Sequence, residues 1–130
     1  MKLKYLCLYL LFLFSGEIAN AQTYKIWGTA YYGGSKGYGV VFQLNRDGSG
    51  YKIMHNFTTK TGANPTALIK GPGNKLYGLT YGGGQYSRGV LYSINTSNNA
   101  YTVLHHFTAA EGQPASLFLA SNGKIYGTAT

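Results

Sequence analysis

Charge is scarce in this chain, and acid is scarcest of all. Only 11% of the residues are charged, against about 25% in an average soluble domain. The acids are Glu17, Asp47 and Glu111. Hydrolysis by paired carboxylates needs two acids within ~10 Å. Asp47 in a turn and Glu111 in a loop one repeat later do not form such a pair by position. Serine nucleophile elbows and zinc-binding helix motifs are absent too, so no catalytic residue is assigned. Cysteine occurs once, at Cys7, and proline three times. After residue 21 no helical stripe of apolar residues is found.

The N-terminus is a separate object. Lys2 and Lys4 form a basic start, and Leu6 to Phe14 is an uninterrupted apolar run. Ala19-Asn20-Ala21 then supplies the small residues of a signal-peptidase site, so residues 1–21 read as a secretory signal peptide cleaved before Gln22. A membrane anchor is the alternative. A run of this length makes only ~14 Å of helix, against a hydrocarbon core of ~30 Å. The expectation is therefore a secreted or cell-surface protein with no transmembrane segment after cleavage. Cleavage removes Cys7, and the mature chain then holds no disulfide.

What the chain has instead is glycine, at 19 residues, and tyrosine, at 13. Short strands joined by tight turns suit such a composition. Lys25-Ile26-Trp27-Gly28-Thr29-Ala30 returns about fifty residues later as Lys75-Leu76-Tyr77-Gly78-Leu79-Thr80, and again as Lys124-Ile125-Tyr126-Gly127-Thr128-Ala129. Gly33-Gly34 matches Gly83-Gly84, Gly39-Val40 matches Gly89-Val90, and Phe57, Pro65 and Leu68 match Phe107, Pro114 and Leu117. A period of this size marks a solenoid, propeller or array.

Each unit reads as four short strands. In the first they are expected at Ile26–Tyr31, Gly39–Asn45, Tyr51–Phe57 and Thr66–Lys70. In the second they are expected near Leu76–Tyr81, Gly89–Asn95, Tyr101–Phe107 and Ala115–Ala120. Asn45-Arg46-Asp47-Gly48 and Asn122-Gly123 supply turns. The predicted organisation is all-β, with propeller-type blades of four antiparallel strands. The signal peptide spans 1–21, the first repeat 22–74, the second 75–123 and the start of a third 124–130. An open β-solenoid, whose rungs are usually shorter, is the competing architecture. Propellers have ~4–8 blades, so further repeats of the same protein are expected beyond these.

The pattern Lys75-Leu76-Tyr77-Gly78, Gly83-Gly84 and Gly89-Val90-Leu91-Tyr92-Ser93-Ile94 resembles the GloVer tandem repeat family. So does Val103-Leu104-His105-His106-Phe107 followed by Gly112 and Pro114. The resemblance implies an exported bacterial protein with blade-like repeats and implies no particular activity or cofactor. The sequence departs from the family where Ala30 and Leu79 replace threonine, and where Thr61 and Glu111 replace an aspartate before glycine. Those last two replacements put the polar contact of the aspartate in question.

Candidate sites follow from the repeat. Tyr31, Tyr32 and Tyr38 surround one glycine-rich loop, and Tyr81 and Tyr86 the next. Tyr31 and Tyr81 occupy matched positions, which suits packing. Tyr32, Tyr38 and Tyr86 break the repeat and are the candidate ligand-binding rings, with extracellular polysaccharide or a surface protein as the partner. His55 and His105 are matched positions, read as buried histidines with one hydrogen bond rather than metal ligands. Lys25, Lys52, Lys60, Lys70, Lys75 and Lys124 are scattered and form no run. They are expected to be dispersed surface charge, with no nucleic-acid partner. The leading function is a non-enzymatic surface-interaction or carbohydrate-binding scaffold. The alternative is the N-terminal part of a secreted polysaccharide-acting enzyme whose catalytic residues lie elsewhere.

Overall fold

The computed structural model describes residues 24–130. The signal peptide assigned to residues 1–21 lies outside them. Every regular element among the described residues is a strand: β1 (Lys25–Ala30), β2 (Val40–Asn45), β3 (Lys52–Asn56), β4 (Ala63–Lys70), β5 (Lys75–Gly82), β6 (Val90–Asn95), β7 (Tyr101–His106), β8 (Pro114–Leu119) and β9 (Ile125–Ala129). All nine coincide with strands or strand starts expected from the repeat, and all pairings between them are antiparallel.

Their grouping corrects the expected one by a strand. The sheets run β1-β2-β3, β4-β5-β6-β7 and β8-β9. The fourth strand of each sequence repeat thus opens the next sheet. The cause is local. Gly71-Pro72-Gly73-Asn74 makes a tight turn, closed by the Gly71 N–H donating to the Lys75 carbonyl at 3.0 Å, and this folds β4 back on β5. The chain changes sheets one loop earlier, at residues 57–62. There the Tyr101 hydroxyl donates to the Thr61 carbonyl and ties the loop to β7. The boundaries at 74/75 and 123/124 are therefore periods of the sequence that fall in hairpin turns.

Within a sheet, residues directly opposite share a face. Leu76 pairs Ile94, and Gly78 pairs Tyr92, on the face of the second sheet that meets the first. The core forms there. Val41 of β2 and Phe57, just past the end of β3, bury Val90, Tyr92 and Ile94 of the second sheet, flanked by Trp27, Leu68, Tyr101 and Val103. Phe57 meets Tyr92 edge-on at 5.2 Å between centroids. Such aromatic pairs add to burial energy and fix orientation.

The first sheet's opposite face has no such cover. Ile26 is 45% exposed, whereas Leu76, its equivalent one repeat on, is 6% exposed. Tyr51, equivalent to the core residue Tyr101, is exposed and reaches only Phe42 beneath it, at 5.3 Å.

Candidate functional site

The glycine-rich loops leave the same end of neighbouring sheets, one between β1 and β2, the other between β5 and β6. Each is pinned the same way. The Gly39 N–H donates to the Gly33 carbonyl and the Gly89 N–H to the Gly83 carbonyl, both at 3.0 Å. Asn56 Oδ1 accepts from the Ser35 N–H at 2.9 Å. In the second loop the matched His106 does this work, its Nδ1 accepting from the Gln85 N–H at 3.1 Å. Gly89 shows why glycine is required. Its φ is +91°, and a Cβ would stand 2.1 Å from the Thr80 carbonyl oxygen.

These fixed loops carry the candidate tyrosines. Tyr32 is 74% exposed, Tyr86 51% and Tyr38 39%. Tyr32 rests edge-on against Tyr31 at 4.7 Å. The Tyr38 carbonyl accepts from the Asn64 N–H at 2.8 Å, which joins its loop to β4. Among the described residues no ring contact brings Tyr32, Tyr38 and Tyr86 together. Beside Tyr86 lies a shallow cleft between Thr59-Lys60 and the Gly84–Ser87 loop, with His106 at its back.

The two acids of residues 24–130 sit at opposite ends of the sheets. Asp47, in the β2–β3 turn, accepts from the Ser49 hydroxyl at 2.7 Å and its N–H at 3.0 Å. These bonds hold its carboxyl below the usual range. Glu111, in the β7–β8 loop, accepts from the Thr108 N–H at 2.8 Å and hydroxyl at 2.9 Å, which lower its pKa, helped by His105. Thr61 plays the matched part, its Oγ1 accepting from the Thr58 N–H at 3.1 Å. The loop contact questioned from sequence is thus made at both places, by a hydroxyl in one and a carboxylate in the other.

The matched histidines differ, and neither fits its expectation of one hydrogen bond in a buried site. His55 is packed between rings, stacked on Tyr101 at 3.8 Å and 5° and edge-on to Phe57 at 4.8 Å. Its buried Nε2 has no partner, and burial pulls its pKa from 6.5 down to about 4. Stacking, rather than a hydrogen bond, holds this ring. His105 is exposed, and its Nε2 lies 2.9 Å from Glu111 Oε1. No group of three metal-capable side chains occurs among the described residues. No helix there is long and apolar enough to cross a membrane.

Between the second and third sheets lies an apolar cavity of about 330 Å³. Tyr77, Leu91, Phe107 and Leu117 line it. One repeat earlier their equivalents are Trp27, Val41, Phe57 and Leu68, which surround the filled core. The cavity is thus the same core without the side chains of a β6–β7 pair.

Fold and repeat together define a class, the all-β tandem-repeat proteins built from short antiparallel sheets. Within that class the chain belongs to the Gloeobacter/Verrucomicrobia repeat family, which matches it over residues 15–130. This agrees with the resemblance carried by the repeat motifs. No curated protein matches the chain, and no solved structure does.

Proposed function

We propose that this protein is an exported, non-enzymatic scaffold whose sheets are successive blades of a propeller-type array, and that its glycine-tyrosine loops contact a carbohydrate or surface partner. The observation that carries the reading is the placing of Tyr32, Tyr38 and Tyr86. All three depart from the repeat, and all three stand out to solvent from backbone-pinned loops. Rigid loops hold an aromatic ring ready for a sugar face with little entropy to lose on binding. Further repeats, seated in the apolar cavity, complete the array. The scaffold reading is also supported by the acids, each of which is engaged with its own loop.

The test is a glycan array probed with protein collected outside the cell, its N-terminus read by mass spectrometry. A start at Gln22 and retention of a defined glycan are expected. Each of Tyr32→Ala, Tyr38→Ala and Tyr86→Ala should then weaken retention with the β-sheet circular dichroism unchanged. An intact Met1 in the membrane fraction removes export from the reading. A retained glycan that none of the three variants weakens removes the loops.

A further inference from the structure

The end of the sheets opposite the tyrosine loops holds a second opening, a cleft of about 400 Å³ between the first and second sheets. Lys25 and Trp27 of β1 form one wall. Lys70 at the end of β4 and Lys75 at the start of β5 form the other, and Gln43 and Asn74 add amides. Lys70 and Lys75 flank one hairpin turn, and Lys25 comes from the preceding repeat. They meet here because β4 and β5 begin and end at the turn that abuts β1.

No carboxylate lines this cleft. Lys25 Nζ donates to the neutral side chain of Asn45. The sole ion pair among the described residues is His105 with Glu111, at the other end of the molecule. Asp47, in the β2–β3 turn at this end, holds Ser49 through Oδ1 and is close enough to Lys25 for the ammonium to help lower its pKa, so it offsets part of one of the three charges. The imbalance extends beyond the cleft. Arg46, Lys52 and Lys124 also stand at this end of their strands or turns, whereas Lys36, Lys60 and Arg88 lie at the other. Ammonium groups that outnumber the carboxylates around a concave surface, here Lys70 and Lys75 with Lys25 partly offset by Asp47, focus a positive potential and draw anions to it.

The shape narrows the choice of anion. A cleft of this volume falls within the ~300–1,000 Å³ range of small-molecule sites, far larger than one inorganic ion needs. The indole of Trp27 offers an apolar face for a sugar ring, and the amides of Gln43 and Asn74 offer donors and acceptors for hydroxyls. Trp27 is the only tryptophan of the chain. Tyrosine stands at its place in the other two repeats, and Leu119 stands at the place of Lys70. The cleft is thus particular to the first sheet boundary.

We propose that this cleft binds an acidic saccharide, its carboxylates or sulfates on Lys25, Lys70 and Lys75 and one ring against Trp27. The proposal stands independently of the tyrosine loops, which lie at the other end of the sheets.

Trp27 is its own reporter. The purified protein is titrated at low ionic strength with trigalacturonate, followed by tryptophan emission and by calorimetry. Neutral trigalactose, sodium sulfate and a short single-stranded oligonucleotide are run in parallel. Saturable binding of trigalacturonate is expected, tighter than any of the other three and weaker as salt is raised. Lys70→Ala and Lys75→Ala should each lower affinity by about two- to fivefold, the size of one solvent-accessible ion pair. Both lie at strand ends, and unchanged circular dichroism checks that they fold. Tyr32→Ala and Tyr86→Ala should leave this binding unmoved. The proposal is overturned if neither method detects trigalacturonate, or if trigalactose binds equally well. It is also overturned if sulfate or the oligonucleotide binds as tightly, or if both lysine variants bind like the parent.

Discussion

At the scale of the residue, the sharpest contrast is between His55 and His105. The repeat gives them one position and the fold gives them two environments. A tyrosine of the next sheet stacks on His55, while His105 meets solvent and Glu111. Burial favours the neutral imidazole, so the folded pKa of His55 drops to about 4 from 6.5. Between those values the unfolded chain binds the extra proton and the folded chain does not. Stability must therefore rise with pH across that window and fall as acid is added. Asp47 and Glu111, with their lowered values, add slope of the same sign at the acid end. A His55→Phe variant separates the contributions, since phenylalanine keeps the stack and discards the unpartnered Nε2. Thermal melts at pH 4.5 and 7 should show a smaller difference for the variant than for the parent, with the variant more stable at pH 4.5. Equal pH dependence in both proteins would remove His55 from this account.

At the scale of the element, the repeated glycine explains itself in β1 and β5 once the sheet is seen, whereas at the matched Gly127 of β9 a Cβ would meet the Ser116 carbonyl oxygen and Leu117 instead. Gly28 pairs Phe42 and Gly78 pairs Tyr92 across neighbouring strands. A Cβ on Gly78 would stand 2.3 Å from the Tyr92 ring, and one on Gly28 2.6 Å from the Phe42 ring. The aromatic side chain lies across the glycine and covers it, and at Gly78 the Ala67 carbonyl oxygen of β4 would also stand 2.8 Å from the Cβ, so the close contact is within a sheet and not between sheets. Gly78→Val must expel a fully buried tyrosine, and the expected cost is about 3 kcal/mol by chemical denaturation. The same substitution in a Tyr92→Leu background should cost clearly less, because the two changes share one contact. Strict additivity of the two would show that the ring is not what excludes the side chain.

The strands themselves were legible in the sequence, because alternation and turn residues are local signals. Val40, Phe42 and Leu44 read as one face of β2 from their alternation alone. Which strands share a sheet was not legible from the repeat, since a period has no natural starting point. Gly71-Pro72-Gly73-Asn74 was the available clue, a hairpin turn standing where a unit boundary had been drawn. Loop pinning by Asn56 and His106 was hidden for another reason. Two different side chains perform one task there, so the matched positions look unrelated in sequence.

At the scale of the whole molecule, groups distant in sequence acquire common surroundings, and these were the least legible of all. Lys25, Lys70 and Lys75 look scattered along the chain, yet they surround one cleft. The apolar cavity has the same origin. Tyr77, Leu91, Phe107 and Leu117 each obey the repeat, and only the assembled sheets reveal that their shared space is open. In the filled counterpart Val90, Tyr92 and Ile94 close it, and Tyr101 caps His55. If the third sheet is built on the same plan, a strand pair of that type must fit against the second sheet beside β9. Appending a copy of residues 82–130 after Thr130 continues the period in register and supplies that pair. The added chain should raise the melting temperature by more than ~5 °C, as an extra kilocalorie or more of burial does in a domain of this size. It should also place a tyrosine over His105, moving the His105 ring protons upfield in NMR spectra. A longer chain with an unchanged melting temperature and an undisturbed His105 would show that a strand pair of this repeat does not close the cavity.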